Sequence, residues 1–187
     1  MPHVVDVKCP GCGEHASFEV ATCVRIRLKK DVEFFKQSKS FEYRFVVTPS
    51  ERWHAAYFFA GLSGTSVNTI KKLPPGYVRE DWAHSRYWWI YTGSRPGTLV
   101  CTGCGLRRKH VLKWPADAFY SIAIRGKSLW AFNRETLMVL RTFIGSSNRN
   151  TRDFKLNGFL HHVPKNFLTA KVREEITRKL DALLSDS

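Results

Sequence analysis

Two short motifs set far apart hold the most specific chemistry in the chain, Cys9-Pro-Gly-Cys12-Gly13 and Cys101-Thr-Gly-Cys104-Gly105. Two cysteines with two residues between them can turn both thiolates toward one metal ion. The glycine that follows can take the positive φ that lets nearby backbone N–H groups point at the sulfurs. One such motif is a weak signal, and two in one chain are a strong one. Together Cys9, Cys12, Cys101 and Cys104 supply the four thiolates of a closed tetrahedral zinc site with Zn–S bonds of about 2.3 Å. A closed site offers no coordination position for water, so the expectation is one structural zinc per chain and not a catalytic one.

The spacing is unusual, because 88 residues separate Cys12 from Cys101, where a compact ribbon uses roughly 15 to 20. Closure entropy grows only with the logarithm of loop length. The longer insert therefore costs about 1.5 kcal/mol more, against about 10 to 16 kcal/mol from a structural zinc. Two other arrangements stay open at this point. In one, each knuckle holds its own metal, Cys9 and Cys12 with His3 or His15, and Cys101 and Cys104 with His110; in the other, the cysteines form a disulfide or have no metal role. The paired CxxCG knuckles resemble those of zinc-ribbon proteins. That resemblance implies a β-hairpin after the second knuckle, where Leu106-Arg107-Arg108-Lys109-His110-Val111-Leu112-Lys113-Trp114 is the densest basic run in the chain.

The charge balance points to a partner. Thirty Lys and Arg against 16 Asp and Glu leave a formal charge of +14 in 187 residues, which suits a polyanion and most often nucleic acid. The charge is not uniform: residues 1–23 carry −2, residues 24–100 carry +7 and residues 101–187 carry +9. Hydrophobic residues at 43 % and aromatics at 13 % exclude a disordered tail. Four of the five cysteines lie in CxxC pairs and Cys23 is left over, a pattern of a reducing compartment. With no apolar run long enough for a signal segment or a membrane span, a cytoplasmic protein with no membrane partner is expected.

The elements that must position the knuckles follow from periodicity. His3–Lys8 predicts a short strand, and Ala16–Lys30 a longer one alternating apolar and polar residues. On the wet face of the longer strand, Arg25, Arg27 and Lys29 would form a basic stripe spaced about 6.6 Å, with Cys23 beside it. Ser40–Thr48 predicts another strand. Thr48-Pro49-Ser50-Glu51 reads as a capping-box start of a helix through Trp53, Ala56, Tyr57 and Ala60, ended by Gly61. The 62–83 segment reads as loop, and Ser85–Thr92 as an aromatic strand whose Trp88 or Trp89 could stack on bases. Beyond Pro115, a hairpin spans Phe119–Phe132 around Arg125–Ser128. Asn133 caps a helix to Gly145, and a polar loop of 146–155 precedes a last helix from Pro164 to Leu184. The stripe Leu168, Val172, Ile176, Leu180 and Leu183 must dock on the hairpin and helix before it or on a second subunit.

These readings assemble into an α+β protein. Its zinc-ribbon-like antiparallel β core, residues 1–114, carries a long α/β insertion between the knuckles. A C-terminal hairpin-plus-helices subdomain, residues 115–187, packs on it. The functional expectation is a zinc-stabilised DNA- or RNA-binding protein that uses Arg25, Arg27, Lys29, Arg107, Arg108 and Lys109 with Trp88 or Trp89. Two alternatives compete: a protein-docking adaptor in a nucleic-acid-processing assembly, and a nuclease using His161 and His162. The chain has none of the HExxH, P-loop, GxSxG or paired-carboxylate patterns of common hydrolases and nucleotide enzymes.

Overall fold

In chain order, β1 (Val4–Lys8) leads into the first knuckle and β2 (His15–Val20) leaves it. Next come β3 (Thr22–Ile26), α1 (Val32–Gln37), β4 (Glu42–Val47), β5 (Arg52–Phe58), the single turn α2 (Ala60–Ser63) and the short β6 (Ala83–His84). β7 (Pro96–Val100) enters the second knuckle and β8 (Arg107–Val111) leaves it. The chain ends with β9 (Ser121–Ile124), β10 (Lys127–Trp130), α3 (Arg134–Gly145), α4 (Asn157–Leu160) and α5 (Ala170–Ser185). The computed structural model describes residues 1–64, 70, 73–84 and 95–185. By contact, the chain divides into one body of Cys9–Lys113 and another of Met1–Lys8 with Trp114–Ser187. The protein is of the α+β class, with antiparallel sheets and a C-terminal helix. Among the described residues, no helix is long and apolar enough to cross a membrane.

In the first body β2, β7 and β8 lie side by side, β7 pairing antiparallel with both neighbours. The other sheet runs β4-β5-β3-β6. The alternating stretch after the first knuckle is thus two strands and not one. It breaks at Ala21, whose N–H donates to Pro96 O (3.0 Å), and the chain passes from one sheet to the other. Along β3 and the later part of β5 the second sheet is covered on both faces. Val24, Ile26, Ala56 and Phe58 pack with Phe35 of α1, Tyr77 and Trp82 on one side. Ala21, Cys23, Val46, Trp53, Ala55, Tyr57 and Phe59 cluster on the other.

That double coverage overturns two expectations. Cys23 is buried and not on a wet face, and burial pushes its thiol up to about 12 against the opposing charge of Arg44. Residues 52–58 form β5 and not a helix. The Thr48 hydroxyl donates to Glu51 O and accepts from Glu51 N–H, both at 3.0 Å, so the residues read as a helix cap close a β-hairpin turn. A short apolar run buried on both faces has no period to separate strand from helix, and here pairing with β3 and β4 decides. The expected aromatic strand of 85–92, with Trp88 and Trp89, lies outside the described residues.

The second body keeps most of its expected elements, although the last helix begins at Ala170 and not near Pro164, after a 3₁₀ turn at Lys165–Leu168 and an extended Thr169. β9 and β10 make the expected hairpin around Arg125-Gly126. Asn133 Oδ1 accepts from Thr136 N–H (2.9 Å) while Asn133 N–H donates to Thr136 Oγ1 (2.8 Å), a reciprocal cap that starts α3. The segment after α3 is tied down: Arg149 donates to Ser146 O and Ile144 O (3.2 Å each) and to Leu168 O. Val172, Ile176 and Leu180 of α5 pack with the hairpin and α3 in a shared core, so the apolar stripe is covered within this body. β1 is held here too, through Asp6 N–H to Phe132 O (2.7 Å) and Lys8 N–H to Asp117 O (2.9 Å).

One glycine fixes how closely β2 and β7 approach. A Cβ on Gly97 would stand 2.3 Å from Glu19 O and 2.4 Å from the Phe18 ring, one a backbone atom and the other a core side chain. Gly97→Ala is expected to destabilise the protein by about 3 kcal/mol, the upper end for overpacking. In a urea titration the midpoint falls; an unchanged midpoint would show that β2 and β7 can separate freely.

Candidate metal centre

Both knuckles are built alike. Cys9 N–H donates to Glu14 O (2.7 Å) and Cys101 N–H to Leu106 O (2.8 Å), so each turn closes on the carbonyl five residues later. Gly13 and Gly105 take φ of +82° and +72°, conformations that a side chain would strain. Gly11 N–H points at Cys9 Sγ from 3.4 Å. Because β2 and β7 pair antiparallel, with Ser17 opposite Val100, the first knuckle precedes one strand beside the point where the second knuckle ends its neighbour. The 88-residue gap closes through the sheet, and all four sulfurs lie within 4.8 Å of one another.

Their spacing fits a metal. Cys9 Sγ is 3.6 Å from Cys104 Sγ and Cys12 Sγ is 3.7 Å from Cys101 Sγ. A tetrahedron with metal–sulfur bonds of about 2.3 Å has edges of about 3.8 Å. A disulfide needs about 2.05 Å, and all five cysteines are free. The close pairs join one knuckle to the other, which favours a shared site over two separate ones. His110 instead sets its ring edge-on to Phe18 (6.0 Å between centroids). Among the described residues, the four cysteines are the one His/Cys/Asp/Glu group of this kind.

The electrostatics call for a cation. Burial opposes ionisation of Cys9, but the amides of Cys12 and Gly11 and the thiols of Cys104 and Cys101 hold its pKa down at about 6. At Cys12 the Glu14 amide favours the thiolate, yet burial and the other three cysteines push the pKa up to about 12. Cys104 is raised as well, the pull of the Leu106 amide being outweighed by Cys9 and Cys101. Cys9 thus ionises readily, while Cys12 and Cys104 resist ionisation. A divalent cation at its centre removes that resistance.

The cations expected at a nucleic-acid interface are not brought together as one set. β3 ends at Ile26 and Lys29 begins a 3₁₀ turn, so Arg25, Arg27 and Lys29 do not form a single strand stripe. Arg25 pairs with Glu51 (3.0 Å) and lies over the Trp53 ring; Arg27 pairs with Asp81 and donates to Gly76 O (3.2 Å). Lys109 pairs with Glu42 and sits 4.7 Å over the Phe59 ring. Arg107 and Arg108 stand exposed on β8, and neither has an ion-pair partner among the described residues. The acidic partners were invisible in sequence because they lie 26 to 67 residues from their cations. His161 and His162 follow the short α4 and are not on a strand; Thr151 Oγ1 is 3.3 Å from His161 Nε2.

Fold and site define an α+β protein with a two-knuckle, four-thiol centre able to hold a metal ion. Comparison of the chain with protein-family models, curated proteins and solved structures returns no match.

A shared centre predicts one metal ion per chain by elemental analysis, with Cys9→Ser and Cys101→Ser lowering the content equally. Two ions per chain, each variant losing one, would separate the knuckles.

Proposed function

We propose that this is a zinc-stapled nucleic-acid-binding protein in which Arg107 and Arg108 of β8 contact phosphates. Four thiolates at tetrahedral spacing suit zinc, and the full coordination shell gives the ion a structural role. The observation that carries the reading is the contrast among cations. Arg25, Arg27 and Lys109 are engaged by carboxylates, whereas Arg107 and Arg108 are exposed without one among the described residues. They also start the strand that leaves the second knuckle, three and four residues after Cys104. Anchoring at the metal lowers the entropy lost when these side chains bind.

In an anisotropy titration over a salt series, Arg107→Ala with Arg108→Ala weakens binding across all sequences. The magnitude of the slope of log K against log salt falls by up to about 0.9 per lost duplex contact. Lys109→Ala has the smaller effect, because Glu42 already neutralises it. Unaltered affinity and slope in the folded double variant would make β8 a solvated face and favour the adaptor reading.

Chelating the metal should lower the melting temperature, with binding lost only as the fold loosens. An unchanged melting temperature with loss of a turnover reaction would make the metal catalytic.

A further inference from the structure

A second surface of the first body has no cover among the described residues. The face of the second sheet that buries Val24, Ala56 and Phe58 continues along β4 and β5 past the reach of α1, and there its aromatic and apolar side chains stand open. Phe45 is 52 % exposed and Val47 57 %, opposite His54 and Arg52 in the strand register, and Leu28 beyond β3 is 48 % exposed. Large apolar side chains at that exposure, grouped on one sheet face, usually mark a binding surface.

The rings are held in place. Tyr43 Oη is 2.6 Å from His54 Nδ1, and the two rings stack with centroids 5.8 Å apart. Phe45 also lies against His54, its ring tilted with centroids 5.0 Å apart. Fixed rings lose little freedom when a planar ligand stacks on them. The surrounding charge is positive. Lys36 Nζ sits 5.3 Å over Tyr43, Arg52 is exposed opposite Val47, and Lys29 and Lys30 are exposed in the turn after Leu28. Of the neighbouring acids, Glu33 is taken by Lys36, Glu51 by Arg25, and Asp31 is buried.

We propose that Phe45, with Tyr43 and His54 behind it and Arg52 beside it, is a stacking platform for the unpaired bases of a single-stranded nucleic acid. The proposal rests on the nucleic-acid reading above and makes it specific. Exposed rings offer a π-face to any base, and the cations track the backbone that joins the bases. Bases in a duplex are already stacked and cannot reach Phe45. Glu42, which holds Lys109 of β8, lies on the same strand as Phe45 but, three residues away and opposite Tyr57, belongs to the other face of the sheet. The platform and the β8 arginines are therefore separate contacts that can be tested independently.

The test compares the full-length parent with Phe45→Ala, Phe45→Leu and Phe45→Trp, using an oligothymidylate and a duplex of equal length as probes. Phe45→Ala and Phe45→Leu should both bind the single strand about 5- to 150-fold more weakly while leaving duplex affinity and salt slope unchanged. Phe45→Trp should keep the parent affinity, and its added fluorescence should be quenched when the oligothymidylate binds. Single-strand affinity unchanged in Phe45→Ala, with Arg107→Ala and Arg108→Ala still weakening both probes, overturns the platform and leaves the nucleic-acid reading standing. A parent that binds neither probe overturns both. A parent dimer that Phe45→Ala dissociates, with single-strand affinity retained, would assign this face to a second copy of the chain instead.

Discussion

Four thiols that must meet across 88 residues of intervening chain set the main constraint on the first body. Each knuckle alone is a turn of a few residues closed by its own hydrogen bonds, too small to hold two sulfurs in place. Antiparallel pairing of β2 with β7 brings the knuckles to one end of one sheet. The cluster and the sheet therefore reinforce each other: the strands position the sulfurs, and a cation bound among them would lock the strands that enter and leave. The resistance of Cys12 and Cys104 to ionisation is the electrostatic side of the same arrangement, since thiolates packed together repel until a positive charge sits among them.

Positive charge is the second theme, and its arrangement matters more than its amount. A net charge of +14 makes the chain attractive to polyanions from any direction, but a cation already held by a carboxylate has less to offer a phosphate. Of the six cations singled out in the sequence, carboxylates engage Arg25, Arg27 and Lys109, whereas Arg107 and Arg108 of β8 are exposed with no ion-pair partner among the described residues. The paired cations also pack on aromatic rings, Arg25 on Trp53 and Lys109 on Phe59, and so contribute to the fold itself.

The second sheet shows how burial on two faces changes what a sequence appears to say. Between clusters on both sides, β5 needs apolar residues at successive positions, and Trp53, Ala55, Ala56, Tyr57 and Phe58 supply them. Without alternation, a proline and a serine before the run look like a helix start. The same turn residues serve a hairpin equally well, because a hydroxyl that can cap a helix can also close a β-turn. Where cover ends, Phe45 and Val47 stay open on the same face, so one strand is core at one end and surface at the other.

The sequence by itself determined the four cysteines able to hold a metal ion, the class of fold, the hairpin at Arg125-Gly126, the cap at Asn133 and the apolar stripe of α5. Each of these depends on residues a few positions apart, and local chemistry decides them: a thiol pair, a positive φ, a capping oxygen, a helical period. Only the tertiary structure decided that both knuckles share one cluster, that residues 15–26 split between two sheets, that 52–58 is a strand, that Cys23 is buried, and which arginines are neutralised. Those outcomes turn on partners 26 to 95 residues away, Glu51 for Arg25 and Cys104 for Cys9 among them. Such pairs leave no local pattern in the chain, because the favourable contact exists only once strands remote in sequence have come together.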